Sequence, residues 1–292
     1  MGDDLDGKAI AFGITRGLGS DFAAFRRAGH QPSITAVVAG EQPAQQDYLN
    51  NMTKTGRRLG VRVNVRSLDR DVSEQQIIDV ILELNEDPTV HGIQVQLPFP
   101  RQIEDDAKYR IIDTIARVKD IEGLSAYNLA SLARGQPGYL PCTPQGILRL
   151  LDAYKIPIVG EDITVISNSD IVGKPLNILL SSNPHNNTVT TCNVKTKSLE
   201  KCTKDADIII TATGVPNLIK ADMVKPGCVV IDAGYTKIDG RTVGDVDYKP
   251  VKAKASCITP VPGGVGPMTM AMLMENLRNA VRAYVSQHQV QR

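Results

Sequence analysis

Apolar, β-branched runs alternate with amphipathic stretches along the chain. This alternation is typical of parallel βα units, in which each strand is followed by a helix that packs on the sheet. In one run Val61, Val63 and Val65 alternate with polar residues, which predicts a strand with one solvent-exposed face. The first half is predicted to contain strands over Ile34–Ala39, Val61–Leu68 and Gly92–Leu97, and helices over 44–59 and 73–86.

The strand-like runs of the second half are mostly continuous in apolar residues. Continuous runs are expected when helices cover both faces of a parallel sheet. The fold class is therefore α/β, with a doubly wound sheet in the second half. The predicted strands are Ile163–Ser167, Thr188–Cys192, Ile208–Ala212 and Val229–Ala233.

A segment rich in glycine and proline, Gly135–Pro144, separates the two halves. It predicts a first domain over 1–141, completed by a C-terminal helix over 268–292, and a second domain over 142–267, with a cleft between them. Thr143 followed by Pro144 is a good N-cap and first-turn pair for a helix over Gln145–Tyr154.

Length and charge narrow the class of protein. The 292 residues suffice for two domains. The net charge of +1, from 33 basic and 32 acidic residues, gives no reason to expect a nucleic acid or an anionic membrane as partner. The acidic start lacks the apolar core of a secretory signal, and no apolar run approaches the ~20 residues of a membrane span. We therefore expect a cytoplasmic protein.

The five cysteines are scattered without CxxC spacing, and the four histidines are equally dispersed. This pattern favours buried, reduced thiols over disulfides or a zinc site. We expect no metal.

The segment Thr259–Thr269 combines prolines, which fix φ, with glycines, which reach conformations closed to other residues. Such a segment builds a rigid wall with few side chains that a flat ligand can approach closely. The alternative is a structural turn before the apolar helix that follows, over Met270–Val285.

A strand over Ile163–Ile166, a turn of small residues and a helix over Leu176–Ser181 follow one another. This succession predicts an anion site, because unpaired N–H groups and the helix dipole face the ligand. The alternative is a plain βα turn, since Ser167 stands where a dinucleotide fingerprint has its first glycine.

Several motifs together resemble those of the methylenetetrahydrofolate dehydrogenase/cyclohydrolase family, and the resemblance spans nearly the whole chain. The βα turn keeps the family's Ser169, Val172, Gly173 and Pro175. The other matching segments are Gly92–Pro98, Lys119–Gly123, Thr211–Pro216, Ile231–Tyr235 and the Pro262–Gly266 loop. The resemblance implies a smaller folate domain, a doubly wound nucleotide-binding domain and a homodimer.

The resemblance also implies the folate site. Tyr48, Gln96 and Glu122 stand at catalytic positions, with Glu122 in place of the family's shorter aspartate. Met52 stands where the family has its catalytic lysine, so the chain resembles a divergent member without that lysine. The implied substrate-binding residues are Tyr48, Met52, Val95, Gln96, Leu97, Glu122, Pro262, Gly263, Gly264, Val265 and Gly266.

Two departures concern the dinucleotide. Asn168 replaces the family's arginine, and Val194 replaces a polar residue after the next strand. Neither residue can neutralise the charge of a 2′-phosphate, so NADP is disfavoured and NAD is expected. The sequence does not specify NAD positively, because no acidic residue ends the second strand to bind the ribose 2′-hydroxyl. The implied cofactor-binding residues are Ser167, Asn168, Ser169, Gly173, Val194, Thr213, Gly214 and Tyr235.

The family carries out two reactions on tetrahydrofolate. Hydride transfer from 5,10-methylenetetrahydrofolate to the nicotinamide needs mainly positioning, whereas hydrolysis of the methenyl product needs an acid/base group. Because methionine has no titratable proton, we expect a dehydrogenase with lost or weak cyclohydrolase activity. The alternative is a tetrahydrofolate-binding homologue that uses no nucleotide and has another one-carbon role or no catalysis.

Overall fold

The computed structural model describes residues 2–40 and 43–289. Contacts divide them into two units, each described separately below. Unit I comprises Gly13–Ser131, Gly138–Leu140 and the part of α10 from Met270 onward, and unit II comprises 2–12, Leu132–Pro137 and Pro141–Thr269.

The helices and strands alternate along most of the described chain. The helices are α1 (Gly7–Arg27), α2 (Pro43–Leu59), α3 (Glu74–Glu86), α4 (Ala107–Asp113), α5 (Ala126–Ala133), α6 (Cys142–Ala153), α7 (Gly173–Ser181), α8 (Leu199–Thr203), α9 (Tyr248–Lys252) and α10 (Val265–Gln289). The strands are β1 (Asp3–Asp4), β2 (Ser33–Ala39), β3 (Arg62–Leu68), β4 (Gly92–Val95), β5 (Asp162–Ile166), β6 (Thr188–Cys192), β7 (Ile208–Thr211), β8 (Val229–Asp232), β9 (Thr236–Ile238), β10 (Arg241–Val243) and β11 (Cys257–Ile258).

Unit I contains a parallel sheet in the order β3-β2-β4. All of β2 is buried, as expected for the central strand of a parallel sheet. Strand β3 lies at the edge and is largely exposed, and even Val65, predicted to face inward, is 48% exposed. A capping box begins α3, since the Ser73 hydroxyl accepts from the Gln76 N–H and the Gln76 side chain accepts from the Ser73 N–H.

In unit II the described residues form a parallel sheet of six strands, in the order β1-β11-β8-β7-β5-β6, and a β9-β10 hairpin. The chain moves from β5 outward to β6, returns to β7 on the other side and continues to β8 and β11, which is doubly wound topology. Strand β1 pairs with β11. For this reason residues 2–12 join unit II, although the predicted domain boundary placed them in the first domain.

Two differences from the predicted elements concern helices α1 and α6. Helix α1 was not predicted, because its four glycines dilute an apolar face on which Leu18 and Phe22 are buried. Helix α6 begins at Cys142, so Thr143 lies inside its first turn and the predicted N-cap is wrong. The Thr143 hydroxyl instead pairs with that of Thr269 at 3.0 Å.

No helix in the described part of the chain is both long and apolar enough to cross a membrane.

Candidate active site

Unit I has a topological switch point, because β3 and β4 lie on opposite sides of β2. Ligand sites of α/β sheets form at the carboxyl ends of strands that flank such a point. Here α2 follows β2 and carries Gln45, Tyr48 and Met52 at spacings of three and four residues, on one helix face. Gln45 Nε2 donates to the Pro98 carbonyl at 3.1 Å, which joins this face to the segment after β4.

The second side of this site comes from β4 and the segment that contains Glu122. Gln94 Nε2 donates to Glu122 Oε2 at 3.3 Å and to the Val95 carbonyl at 3.1 Å. The Tyr48 hydroxyl lies close enough to Glu122 to oppose the rise in the pKa of that carboxyl. These contacts bring the predicted residues Tyr48 and Glu122 together, with Gln94 as a further member.

Asp120 holds the loop that positions Glu122. Its buried carboxylate accepts from the N–H groups of Gly123 at 3.1 Å, Leu124 at 3.3 Å and Ser125 at 2.8 Å, and from Asn128 Nδ2 at 2.7 Å. A carboxylate with this many donors fixes a loop without an ion pair.

Lys119 has a structural contact as well. Its ammonium donates to the carbonyls of Leu84, Asn85 and Asp87, at 2.7–2.9 Å, at the end of α3. A cation at this position satisfies the last carbonyls of a helix. In the matched segment Lys119–Gly123, therefore, Glu122 is the ionisable side chain near Tyr48.

Glu122 is an unusual carboxyl group. Burial, followed by the nearby charge of Asp120, raises its pKa from 4.5 to about 8, and hydrogen bonds from Gln94 and Tyr48 oppose this shift only partly. Among the described residues no cation forms an ion pair with it. Glu122 is therefore mostly protonated at pH 7.

We expect Glu122→Gln to change how stability depends on pH. Because the pKa is raised in the fold, the folded protein binds more protons than the unfolded chain between about pH 4.5 and 8. The free energy of unfolding of the unmodified protein should therefore fall as pH rises through this window. The Gln variant lacks this loss, so its stability relative to the unmodified protein should grow by roughly 3–4 kcal/mol between pH 5 and pH 8, which denaturant unfolding at these two pH values measures. Glu104→Gln, at an exposed carboxylate, is the control, and equal pH dependence of both variants would contradict the prediction.

The other predicted folate-site residues of unit I lie near the carboxyl end of β4 or on α2. Met52 is completely buried, as are most of Val95 and Gln96, while Leu97 is half-buried. The backbone N–H of Gln96 donates to the Val37 carbonyl at 2.9 Å, which extends the pairing of β4 with β2 beyond the strand.

The predicted Pro262–Gly266 loop belongs to unit II. The Lys8 N–H donates to the Gly263 carbonyl at 3.1 Å, and the Gly264 N–H donates to the Pro260 carbonyl at 2.8 Å. Gly263 has φ of +126°, a backbone conformation that residues other than glycine rarely adopt. Pro262 and Gly266 are exposed, Gly263, Gly264 and Val265 are buried, and α10 begins at Val265.

The switch point of unit II lies where β5 meets β7, and the predicted βα turn follows β5. At Gly173 a Cβ would lie 2.2 Å from the Ser167 carbonyl oxygen, so the turn requires glycine there. The Ser169 hydroxyl accepts from the N–H groups of Val172 at 3.2 Å and Gly173 at 3.4 Å. The expectation of unpaired N–H groups is therefore wrong for these two residues.

Two buried aspartates organise the neighbouring loops of unit II. Asp232 accepts from the N–H groups of Gly234, Asp245 and Val246 at 2.9–3.0 Å. Asp245 Oδ2 accepts from the Thr211 hydroxyl at 2.8 Å and the Thr213 N–H at 2.6 Å. Burial raises the pKa of Asp232 to about 6, although these hydrogen bonds oppose the shift. The predicted residues Thr213 and Gly214 thus lie in a loop that Asp245 holds.

Of the remaining predicted cofactor residues, all but Ser167 are exposed. Val194 is 94% exposed, in a loop where the Asn193 side chain accepts from the Lys195 N–H at 2.8 Å. Asn168 and Tyr235 are also exposed, and Ser167 is buried with its hydroxyl 3.1 Å from that of Ser169. Among the described residues, no three His, Cys, Asp or Glu side chains are grouped to hold a metal ion.

Sequence reasoning missed Gln45, Gln94 and Asp245. Gln45 could have been found, because it precedes Tyr48 by three residues and Met52 by seven on one helix face. Gln94 could also have been found, because it lies two residues before Gln96 on the same strand face. Asp245 has no such signal, since an acidic residue in a short loop is usually solvated.

A doubly wound sheet with polar loops at its carboxyl edge, in one chain with a second α/β unit, defines the class of α/β dinucleotide-binding proteins. Residues 5–122 match the catalytic domain of tetrahydrofolate dehydrogenase/cyclohydrolase, and residues 141–285 match its NAD(P)-binding domain. The chain belongs to this family of oxidoreductases of one-carbon folate metabolism.

Individual relatives agree with this assignment. The chain is 43% identical to the bifunctional protein FolD of Aquifex aeolicus, over 96% of each chain. The structure of the bifunctional FolD of Campylobacter jejuni is similar with a TM-score of 0.91 and 39% identity, over 97% of this chain and 99% of that chain. The FolD of Trypanosoma brucei, solved with NADP cofactor and an inhibitor, has a TM-score of 0.91 and 31% identity, over 97% and 98%.

Proposed function

We propose that this protein oxidises 5,10-methylenetetrahydrofolate to the 5,10-methenyl compound by hydride transfer to a nicotinamide dinucleotide, with weak or no hydrolysis of the product. The observation that carries the proposal is Met52, completely buried on the α2 face that also presents Tyr48. This position supplies no proton donor or acceptor. Hydride transfer needs none, because the product cation is delocalised over two nitrogens, whereas hydrolysis must move protons.

The residues of unit I would bind and orient the folate. The Tyr48 hydroxyl and the Glu122 carboxyl can donate to or accept from its polar edge, and Gln96 offers a buried amide at the end of β4. When bound, the nicotinamide supplies the hydride acceptor. In unit II the turn after β5 and the Thr213–Gly214 loop lie at the switch point, the ordinary place for a dinucleotide, and the close approach at Gly173 fits a backbone contact with its phosphates.

NAD is proposed as the preferred dinucleotide. The exposed Asn168 and Val194 offer neither a guanidinium nor a hydroxyl to a 2′-phosphate. The NADP complex of the Trypanosoma brucei relative makes NADP the competing possibility.

A second candidate function is folate binding without nucleotide chemistry. It is favoured by the Ser169 hydroxyl, which already accepts from two N–H groups that a phosphate would use. Incubation of the purified protein with 5,10-methylenetetrahydrofolate and either NAD or NADP distinguishes the two. Formation of methenyl product and reduced nucleotide in equal amounts supports the dehydrogenase, whereas folate binding without either product supports the second candidate.

Asp245→Ala is expected to weaken dinucleotide binding. The change leaves the Thr211 hydroxyl and the Thr213 N–H without their acceptor, so the loop that would face the dinucleotide loses its fixed conformation. A loss of one or two such hydrogen bonds predicts roughly 10-fold weaker binding of NAD in calorimetric titrations. Asp222→Ala, at an exposed aspartate of the same unit, is the control. Unchanged NAD affinity in a folded Asp245→Ala protein would contradict the role of this loop.

We also propose that the protein is a homodimer, as the family resemblance implies. Light scattering of the purified protein as it elutes from a size-exclusion column would give its mass in solution. A mass twice that of one chain would support the homodimer.

A further inference from the structure

Two of the five cysteines of the chain come together in unit II, Cys192 at the end of β6 and Cys202 in α8. The Cys192 side chain is completely buried in a hydrophobic cluster, and the half-buried Cys202 packs against the same cluster. The loop between β6 and α8 therefore returns the second cysteine to the first.

The pairing of the strands places both cysteines on one face of the sheet. In the parallel pair of β5 and β6, Thr164 aligns with Thr190 and Ile166 aligns with Cys192. Aligned residues of neighbouring strands, and residues two apart in one strand, point to the same face. The Cys192 side chain therefore shares a face with that of Thr164. On this face the Thr164 hydroxyl donates to the Cys202 carbonyl at 2.6 Å, which fixes the backbone of Cys202 there.

The two thiols lie close enough to influence each other. Burial, followed by the neighbouring Cys202 thiol, raises the pKa of the Cys192 thiol to about 11. The Cys202 thiol donates to the Ser198 carbonyl at 3.6 Å, a weak contact that a new covalent bond can replace. Cys202 is thus the accessible member of the pair, and Cys192 is the inaccessible one.

We propose that Cys192 and Cys202 form a redox-sensitive pair, which a hydroperoxide converts into an intramolecular disulfide that weakens dinucleotide binding. Redox-sensing sites combine an accessible thiol, which reacts with the oxidant, with a second thiol beside it that resolves the product. The fold supplies both parts. The half-buried Cys202 meets the oxidant, and the buried Cys192 is the resolving thiol.

The reaction has two steps. The Cys202 thiolate attacks one oxygen of the hydroperoxide, the O–O bond breaks, and a sulfenic acid forms while the leaving hydroxide or alkoxide takes up the proton that Cys202 released. The Cys192 sulfur then attacks the Cys202 sulfur, the S–O bond breaks, and the hydroxyl leaves as water with the proton of the Cys192 thiol. The two sulfurs together lose two electrons, which reduce the peroxide oxygens. A thiol reductant reverses the change by disulfide exchange.

The effect on dinucleotide binding rests on the proposed function. The ribose of a dinucleotide is expected at the end of the second strand of the sheet, here β6, where the loop with Val194 follows. In the reduced protein the Asn193 N–H donates to the Thr196 hydroxyl at 2.9 Å, and the Asn193 side chain accepts from the Lys195 N–H at 2.8 Å. The disulfide closes a ring that contains all these residues. Because a disulfide has a specific geometry, its formation should disturb the contacts that hold this loop.

The test oxidises the reduced protein with hydrogen peroxide, blocks the remaining thiols with iodoacetamide and maps the tryptic peptides by mass spectrometry. Lys195, Lys197 and Lys201 lie between the two cysteines, so trypsin leaves the cysteines in separate peptides that stay together only through a disulfide. We expect one linked pair of peptides, which contains Cys192 and Cys202. Dithiothreitol should restore both thiols.

Variants and a binding measurement complete the test. Cys202→Ala should abolish the linked pair, and Cys192→Ala should leave Cys202 as a sulfenic acid that dimedone traps. Cys257→Ala is the matched control, because Cys257 is also half-buried in unit II, and this variant should form the linked pair. The oxidised unmodified protein should bind NAD about 10-fold more weakly than the reduced protein, as for the loss of one or two hydrogen bonds. Oxidation should leave the NAD affinity of the Cys202→Ala protein unchanged.

Several results would overturn this assignment. If all five thiols of the peroxide-treated protein are alkylated, or if a non-reducing gel shows chains linked to one another, the two cysteines are not an intramolecular pair. Both results come from the unmodified protein and need no variant to fold. If the disulfide forms and NAD affinity does not change, the effect on dinucleotide binding is refuted. If neither the reduced nor the oxidised protein binds NAD, the proposed function fails, and the peptide map alone decides whether the pair exists.

Discussion

Hydrolysis of 5,10-methenyltetrahydrofolate by the unmodified protein is expected to exceed the uncatalysed rate only slightly, and Met52→Lys is expected to increase it. General acid–base assistance is typically worth ~10²–10⁴ in rate, which sets the scale of the missing activity. The side chain at position 52 is on the same helix face as Tyr48, one turn further along α2. The decay of methenyl absorbance with and without protein measures the effect.

Glu122 decides how much of this activity a new lysine can recover. An ammonium close to Glu122 would lower the pKa of that carboxyl, and the resulting ion pair would hold the lysine in its protonated form. We therefore expect Met52→Lys alone to recover less than the double variant Met52→Lys with Glu122→Asp, which restores both family residues. Met52→Leu, which adds no titratable group, is the control and should leave hydrolysis at the level of the unmodified protein.

The unmodified protein could contradict this expectation by hydrolysing the methenyl compound well. In that case Glu122 is the group that would act as base, and the rate should rise with pH up to about 8, following its pKa. Glu122→Gln should then abolish the activity. Fast hydrolysis that Glu122→Gln leaves unchanged would refute this description of the site.

Strands β2 to β8 could be predicted from sequence because each lies in a run rich in β-branched residues. Thr188–Cys192 was predicted at both ends, and Gly92–Leu97 was two residues too long. Helix α1 could not be predicted from its dilute apolar face, and β1 could not because its two residues gain their structure from pairing with β11.

The residues of the candidate site could be predicted only where they belong to a motif that resembles the family's. Tyr48, Gln96 and Glu122 were identified through resemblance, since no periodicity distinguishes them. The raised pKa of Glu122 and the hydrogen bonds of the Gln45 and Gln94 amides depend on neighbours more than 25 residues away in the chain. Such properties follow from packing, which local sequence patterns do not contain.

Asn168→Arg is expected to shift dinucleotide preference toward NADP. Asn168 is exposed in the turn after β5, where a guanidinium could donate two hydrogen bonds to a 2′-phosphate. The ratio of NADP to NAD affinity, measured in side-by-side titrations, should rise roughly 10- to 100-fold, because hydrogen bonds between charged groups contribute about 1.5–3 kcal/mol each. Adding Val194→Ser should increase the ratio further. Gln75→Arg, on helix α3 of unit I, adds the same charge and should leave the ratio unchanged.

If the unmodified protein already binds NADP more tightly than NAD, then another cation binds the 2′-phosphate. In that case Lys195→Ala should remove the preference for NADP. In that event the assignment of nucleotide choice to Asn168 and Val194 is wrong.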